Sequence, residues 1–281
     1  KRMKKTIRSF FKLRPFEKLL FYVNSGKKYG SWLTRITPNH TDYSSPAIRR
    51  VTRNGVKYSL DISNLVDWYI YFNFTDLPHE RFLNAIQAHD TVIDVGANIG
   101  LISMRSAIRA KSGAVYSFEP YGKTYERLEY HRKLNDFKNI FTYNIGLGST
   151  DEEVAFDTDF QGNPGMFRVN RHAAAETTRI KVMTLDKFVS ENRLQQINAI
   201  KIDVEGYETE VLKGAGKVLS DFKPLLFVEL DDNNLKDQGS SAKELIGLIT
   251  SYGYAIRHAV TGEPLTTDSQ LSHTHFDIIC T

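Results

Sequence analysis

Val92-Ile93-Asp94-Val95-Gly96-Ala97-Asn98-Ile99-Gly100 runs from a short apolar stretch into two glycines four residues apart. A run of this kind ahead of helix-forming residues reads as a strand buried on both faces that turns tightly into a helix. Gly96 and Gly100 permit the turn and a close approach of backbone to a ligand. The N–H groups that open the next helix carry partial positive charge and suit a carboxylate or phosphate. Asp94, at the strand end, is placed to accept hydrogen bonds from an ammonium or from the loop. A glycine pair alone is often only a structural turn. With Asn98 in the middle it also departs from the Gly-x-Gly-x-x-Gly nucleotide pattern.

A second motif, Val115-Tyr116-Ser117-Phe118-Glu119-Pro120, puts an acid at the tip of the next apolar run. An acid roughly 20 residues after such a glycine loop chelates the two ribose hydroxyls of an adenosine cofactor. Adenosylmethionine, with its α-carboxylate and α-ammonium, suits the pair of motifs. A nicotinamide dinucleotide enzyme shares the acid, so these two motifs leave both classes open. A third motif, Ile200-Lys201-Ile202-Asp203-Val204-Glu205-Gly206-Tyr207-Glu208, ends a strand in Asp203 and Glu205. Acids at such a tip can hold a substrate, accept its proton, or ligate a hard cation. Glu208 reads as a helix N-terminal acid. Lys201, inside an apolar strand, needs a partner or an exit to solvent. Glu229 ends a fourth run, Leu225 to Leu230, with Asp231 and Asp232 following. His258 is a candidate base, and His273 and His275 are candidate metal ligands by their alternation. Each is more simply an ordinary histidine, and none enters the expected catalytic set.

The elements that must position these residues follow from periodicity. Apolar runs at 91–95, 114–118, 139–145, 197–202 and 224–230 alternate with amphipathic segments near 100–110, 121–135, 184–192 and 207–219. That alternation means a doubly wound α/β fold with a mostly parallel sheet. The 153–183 stretch interrupts it as two strands around a turn-rich loop. Within that loop, 157–178, with Gly162-Asn163-Pro164-Gly165, reads as an acceptor-binding flap. A helix at 241–252 precedes two last strands, Tyr254–Val260 and Phe276–Cys280, separated by a Gly/Pro-containing turn. Upstream, Asn54-Gly55 between β-prone runs predicts a hairpin. An aromatic helical stretch follows over 68–74. A further helix opens at Pro78 and runs to about His89.

With 41% hydrophobic and 25% charged residues, the 281-residue chain belongs with folded globular proteins that bury a sizeable core. The single cysteine, Cys280, excludes an intrachain disulfide and fits a reducing compartment. No apolar run approaches the roughly 20 residues of a membrane-spanning helix. Charge is lopsided: residues 1–35 hold eleven Lys and Arg against Glu17 alone, net +10, and the remainder nets −6. Residues 1–24 read as a basic helix broken or kinked at Pro15. A helix packed on the body is the simpler reading, and a helix lying on an anionic membrane surface is the sharper one. No nucleic-acid motif accompanies the charge, so no nucleic-acid partner is expected. The expected domains are a basic helical extension and linker over 1–45 and a catalytic domain over 46–281. The expected location is cytoplasmic, with peripheral contact at the inner membrane surface as the sharper alternative.

The three main motifs, together with Val211-Leu212-Lys213-Gly214-Ala215, resemble the FkbM family of methyltransferases over roughly residues 48–281. The resemblance implies a seven-stranded Rossmann-like methyltransferase sheet, S-adenosylmethionine as cofactor, and O-methylation of a small-molecule or glycan acceptor, often a sugar in a glycan, glycolipid or natural product. It implies that Asp94, Gly96, Ala97, Asn98 and Gly100 line the methionine end and that Glu119 binds ribose. Asn144 and Gly146 would edge the adenine. Asp203 and Glu205 would face the transferred methyl, with Asp203 also near the cofactor, and Glu229 would complete the catalytic acids. The alcohol proton would leave through a carboxylate such as Asp203, made more basic by desolvation, or through activation by a divalent cation. The competing readings are a nicotinamide-dependent oxidoreductase and a non-catalytic glycolipid- or protein-binding module.

Overall fold

The computed structural model describes residues 11–32, 34–157, 168–169 and 178–281, with side chains at 156–157, 168–169 and 178 left aside. The chain forms two compact units, Lys1–Leu77 and Pro78–Thr281.

In the first unit a helix spans Arg14–Asn24. Pro15 sits in its first turn, where the N–H that proline lacks has no intrahelical partner, and the residues just before it, 11–13, are not helical. The rest of the expected basic helix, residues 1–10, lies outside the described residues. Glu17, Leu20 and Asn24 form the buried face of the helix. Glu17 accepts a two-pronged bond from Arg49, 2.8 Å on each arm, and a third from the Tyr71 hydroxyl at 3.1 Å. Strands β1 (Ile48–Arg53) and β2 (Val56–Asp61) pair antiparallel across Asn54 and Gly55. Both turn residues have positive φ, 48° and 81°, as the two-residue hairpin turn requires. Trp68, on a helix over Leu65–Tyr71, packs with Phe72 and Phe74.

The second unit opens with the helix Leu77–Ala85, which ends four residues before the expected His89. Five strands run parallel: β3 (Thr91–Val95), β4 (Ala114–Phe118), β5 (Ile140–Tyr143), β10 (Ala199–Ile202) and β11 (Leu225–Asp231). A smaller sheet in the order β6-β9-β7-β8 is made by β6 (Gly146–Leu147), β7 (Glu152–Asp157), β8 (Arg168–Val169) and β9 (Thr178–Met183). Its β7 and β9 are the expected antiparallel pair. The rest of the flap between them, with Gly162, Asn163, Pro164, Gly165, Asn170, Arg171 and His172, lies outside the described residues. The main sheet is completed by β12 (Ile256–His258), β13 (Pro264–Leu265) and β14 (His275–Cys280), in the order β13-β12-β14-β11-β10-β3-β4-β5. It therefore has eight strands rather than seven. The eighth, β13, is a two-residue edge strand on β12, formed from residues that read as turn.

Helices cover both faces. On one, Ile93, Val95, Ile200, Ile202, Leu226 and Val228 pack with Leu185, Phe188, Val211, Leu212, Leu245 and Ile249 from the helices that follow β9, β10 and β11. On the other, Phe82 packs against Phe227 with ring centroids 5.5 Å apart and the rings tilted by 44°. Ser103, from the helix Leu101–Arg109, reaches Asp94 on that same face. The segment expected as one helix over 207–219 is two, Glu208–Lys213 and Gly216–Asp221. Among the described residues no helix is long and apolar enough to cross a membrane.

Candidate active site

The glycine loop leaves β3 at Val95. Gly96 N–H and Ala97 N–H both donate to the Phe118 carbonyl, at 3.0 and 2.9 Å, which ties the loop to the end of β4. Gly96 has φ 75°, and a β-carbon there would lie 1.9 Å from the Asp203 carbonyl oxygen. The missing side chain therefore lets the loop lie against the end of β10, a backbone-to-backbone approach. Asn98 also has positive φ, 50°, and its side-chain oxygen accepts from Ile99 N–H at 2.8 Å. Gly100 precedes the helix Leu101–Arg109, whose opening N–H groups have no side-chain cap.

Asp94 is fully buried and turned into the sheet. It accepts from the Ser103 hydroxyl at 2.6 Å and stands 3.5 Å from the Lys201 ammonium. Its Oδ2 is thus engaged by Ser103, and its Oδ1, on the Lys201 side, is buried without a hydrogen-bond partner among the described residues. Lys201, its neighbour across the β3–β10 register, is also 3.5 Å from Asp203 and donates to the Gly96 carbonyl at 2.8 Å. Burial works against its charge, but Asp203 and then Asp94 outweigh it and hold the ammonium above its ordinary proton affinity.

Glu119 follows β4 and is buried. One oxygen accepts from Asn98 N–H at 2.9 Å and the other from Tyr121 N–H at 3.0 Å. Burial pushes its carboxyl up to about 7, with the two backbone donors pulling the other way. Each oxygen keeps lone pairs for a further donor. The Asn144 amide latches this turn by donating to the Glu119 and Pro120 carbonyls, each at 2.9 Å. Gly146 stands in β6, paired with Val182.

The tip of β10 divides its acids. Asp203 has a side chain 36% exposed and paired with Lys201. Glu205 holds positive φ, 55°, and accepts from the Asn234 amide at 3.1 Å. Closing the loop falls to Glu208, which was read as an N-terminal dipole acid. It is buried and accepts from Val204 N–H and Gly206 N–H at 3.0 and 3.1 Å. Burial, then Glu229, pushes Glu208 up to about 8.

Glu229 lies in β11, two residues before its end, with its carboxyl near Asp203. Its carboxyl is raised by burial and then by Asp203. One oxygen lies 3.3 Å from His275 Nε2. The other, Oε2, is buried and has no hydrogen-bond partner among the described residues. His275 Nδ1 lies 3.0 Å from Asp231. The Glu229 bond leads in pushing the imidazole up to about 9, with burial opposing. Asp231 also caps the next helix by accepting from Asn233 and Asn234 N–H. Sequence reasoning passed over Ser103 and gave neither Asp231 nor His275 a role beside Glu229. A signal existed for His275, whose alternation with His273 was noted for metal binding. His273 instead lies in the turn before β14 and bonds Asp232 and Asn233. The His258 ring nitrogen accepts from Val260 N–H and Thr261 N–H. Among the described residues no group of three or more His, Cys, Asp or Glu is arranged to hold a metal ion.

Five parallel strands, one antiparallel strand next to the last, a glycine loop and an acid after the second strand define the class of Rossmann-like S-adenosylmethionine-dependent methyltransferases. The methyltransferase FkbM domain matches residues 94–256. Methyltransferase 1 of Beauveria bassiana is 26% identical over 184 residues, covering 59% of this chain and 72% of its own length. Hexuronic acid methyltransferase AglP of Haloferax volcanii is 28% identical over 137 residues, 49% of this chain and 54% of its own. Among solved structures, P. horikoshii TYW2 in complex with MeSAdo overlays with a TM-score of 0.43 at 16% identity, covering 85% of this chain and 73% of that one. The chain belongs to the FkbM methyltransferase family. Its methyl donor is S-adenosylmethionine, and the oxidoreductase reading is set aside.

Proposed function

We propose that this enzyme methylates a hydroxyl oxygen of a sugar-containing acceptor, with Glu229 receiving the hydroxyl proton. The observation that carries this reading is Glu229 Oε2, a buried carboxylate oxygen without a partner among the described residues, near the end of β11 and beside Asp203. A carboxyl whose proton affinity burial has raised is a better base than an exposed one. His275 on Oε1 holds the group in place and leaves Oε2 to face the acceptor. Asp203, paired with Lys201, orients the hydroxyl, and Glu205 steadies the tip through Asn234. S-adenosylmethionine supplies an activated methyl on its sulfonium.

The residues fit that donor. The uncapped helix after Gly100 suits its carboxylate, with Gly96, Ala97 and Asn98 shaping the loop. The spare lone pairs of Glu119 suit the ribose hydroxyls. Asn144 and Gly146 border the adenine end. The printed name of the Haloferax relative, a hexuronic acid methyltransferase, supports a sugar acceptor. Transfer to uronic-acid glycosides tests the assignment. Glu229→Gln is expected to lower turnover by about 10²-fold or more, with donor affinity unchanged. Full turnover by this variant would remove Glu229 as the base.

A further inference from the structure

The helix Arg14–Asn24 has two faces of different kinds. Its inner face, Glu17, Leu20 and Asn24, is buried. Its outer face carries Arg14, Lys18, Leu19 and Tyr22, all exposed, with Leu19 at 52% and Tyr22 at 72%. Spacings of three and four residues put these four side chains side by side. Two more large apolar side chains of the same unit stand in solvent, Leu13 at 54% and Trp32 at 76%. A helix face that only meets water has no use for leucine and tyrosine beside free cations. Neither Arg14 nor Lys18 has an acidic partner among the described residues. The sequence adds Lys1, Arg2, Lys4, Lys5 and Arg8 just ahead of the helix.

We infer that this outer face is a membrane-contact surface whose partner is a layer of anionic phospholipid headgroups. Cations along the helix neutralise headgroup phosphates, while leucine, tyrosine and tryptophan enter the boundary between headgroups and acyl chains. The packed inner face and the contacting outer face coexist, so the helix both belongs to its unit and presents a surface. Nucleic acid would use the same cations. It gains nothing from Leu13 and Leu19, because its phosphate backbone is read by charge and hydrogen bonds.

The test uses the full chain and sedimentation with vesicles of phosphatidylcholine alone or mixed equally with phosphatidylglycerol. Wild type is expected to bind only the anionic vesicles and to be released by salt. The double variant L19S/Y22S and the charge reversal R14E/K18E should each weaken binding about tenfold or more. All four positions are exposed, so both variants are expected to melt as wild type does, and the melt is recorded with the binding. Absence of wild-type binding to anionic vesicles overturns the inference. So does equal binding by wild type and both variants, or capture of an oligonucleotide by a protein that ignores those vesicles.

Discussion

The Lys201 ammonium stands 3.5 Å from the Asp203 carboxylate, and it stands equally far from Asp94 on its other side. One buried cation thus joins the glycine loop after β3 to the acidic tip of β10. It also donates to the Gly96 carbonyl, so the loop and the tip cannot shift independently. Replacing it leaves a buried carboxylate at Asp94 without its counter-ion. Lys201→Met is expected to cost about 3–5 kcal/mol of folding stability. Denaturant unfolding at several pH values checks this. Wild-type stability in the variant would mean that the cation links nothing.

The ribose role proposed for Glu119 predicts that donor binding depends on pH. Its carboxyl, raised to about 7, must be ionised to accept ribose hydroxyls on top of Asn98 and Tyr121 N–H. Binding therefore releases a proton below that value. S-adenosylmethionine affinity should fall up to about tenfold per pH unit as pH drops from about 7 to about 5. Calorimetry in buffers of different ionisation heat detects the released proton. Glu119→Ala should weaken binding beyond the loss of the ribose bonds alone, since it also frees two loop N–H groups. Donor affinity that is flat with pH would contradict the ribose assignment.

Glu208 carries a stability signature of the opposite sense to most carboxylates. Its folded value, about 8, is above its ordinary 4.5. The native state therefore holds the proton more tightly, and its stabilising effect is complete below about 4.5 and lost as pH rises through about 8. Glu208→Gln keeps an oxygen for Val204 and Gly206 N–H and removes the ionisation. The variant should match wild type near pH 5 and exceed it near pH 9 by on the order of a few kcal/mol. Melting curves across that range decide it, and parallel losses in both proteins would contradict a buried, proton-holding Glu208.

Much of this architecture was legible in the residues. The strand–loop–helix around Gly96, the acid at Glu119 and the hairpin at Asn54-Gly55 are local features, written in apolar runs and turn chemistry. The acids at Asp203 and Glu229 could be placed at strand ends for the same reason. What each acid does was not legible, because it depends on neighbours distant in sequence. Glu229 meets His275 only through the antiparallel β11–β14 register, which sets Asp231 opposite His275. Lys201 finds Asp94 only across the β3–β10 pairing. The edge strand β13 is two residues long and exists by virtue of its partner β12. Such a strand leaves no periodic trace.

The most direct test of the account is the atom that receives the methyl. The enzyme is incubated with S-adenosylmethionine labelled in its methyl group and with uronic-acid and neutral hexose glycosides. The product is then mapped by mass spectrometry and carbon NMR. The account predicts a labelled methyl ether on a sugar hydroxyl, formed by wild type and strongly reduced in Glu229→Gln. Label on nitrogen or carbon, or a methyl ether formed equally well by that variant, would contradict it.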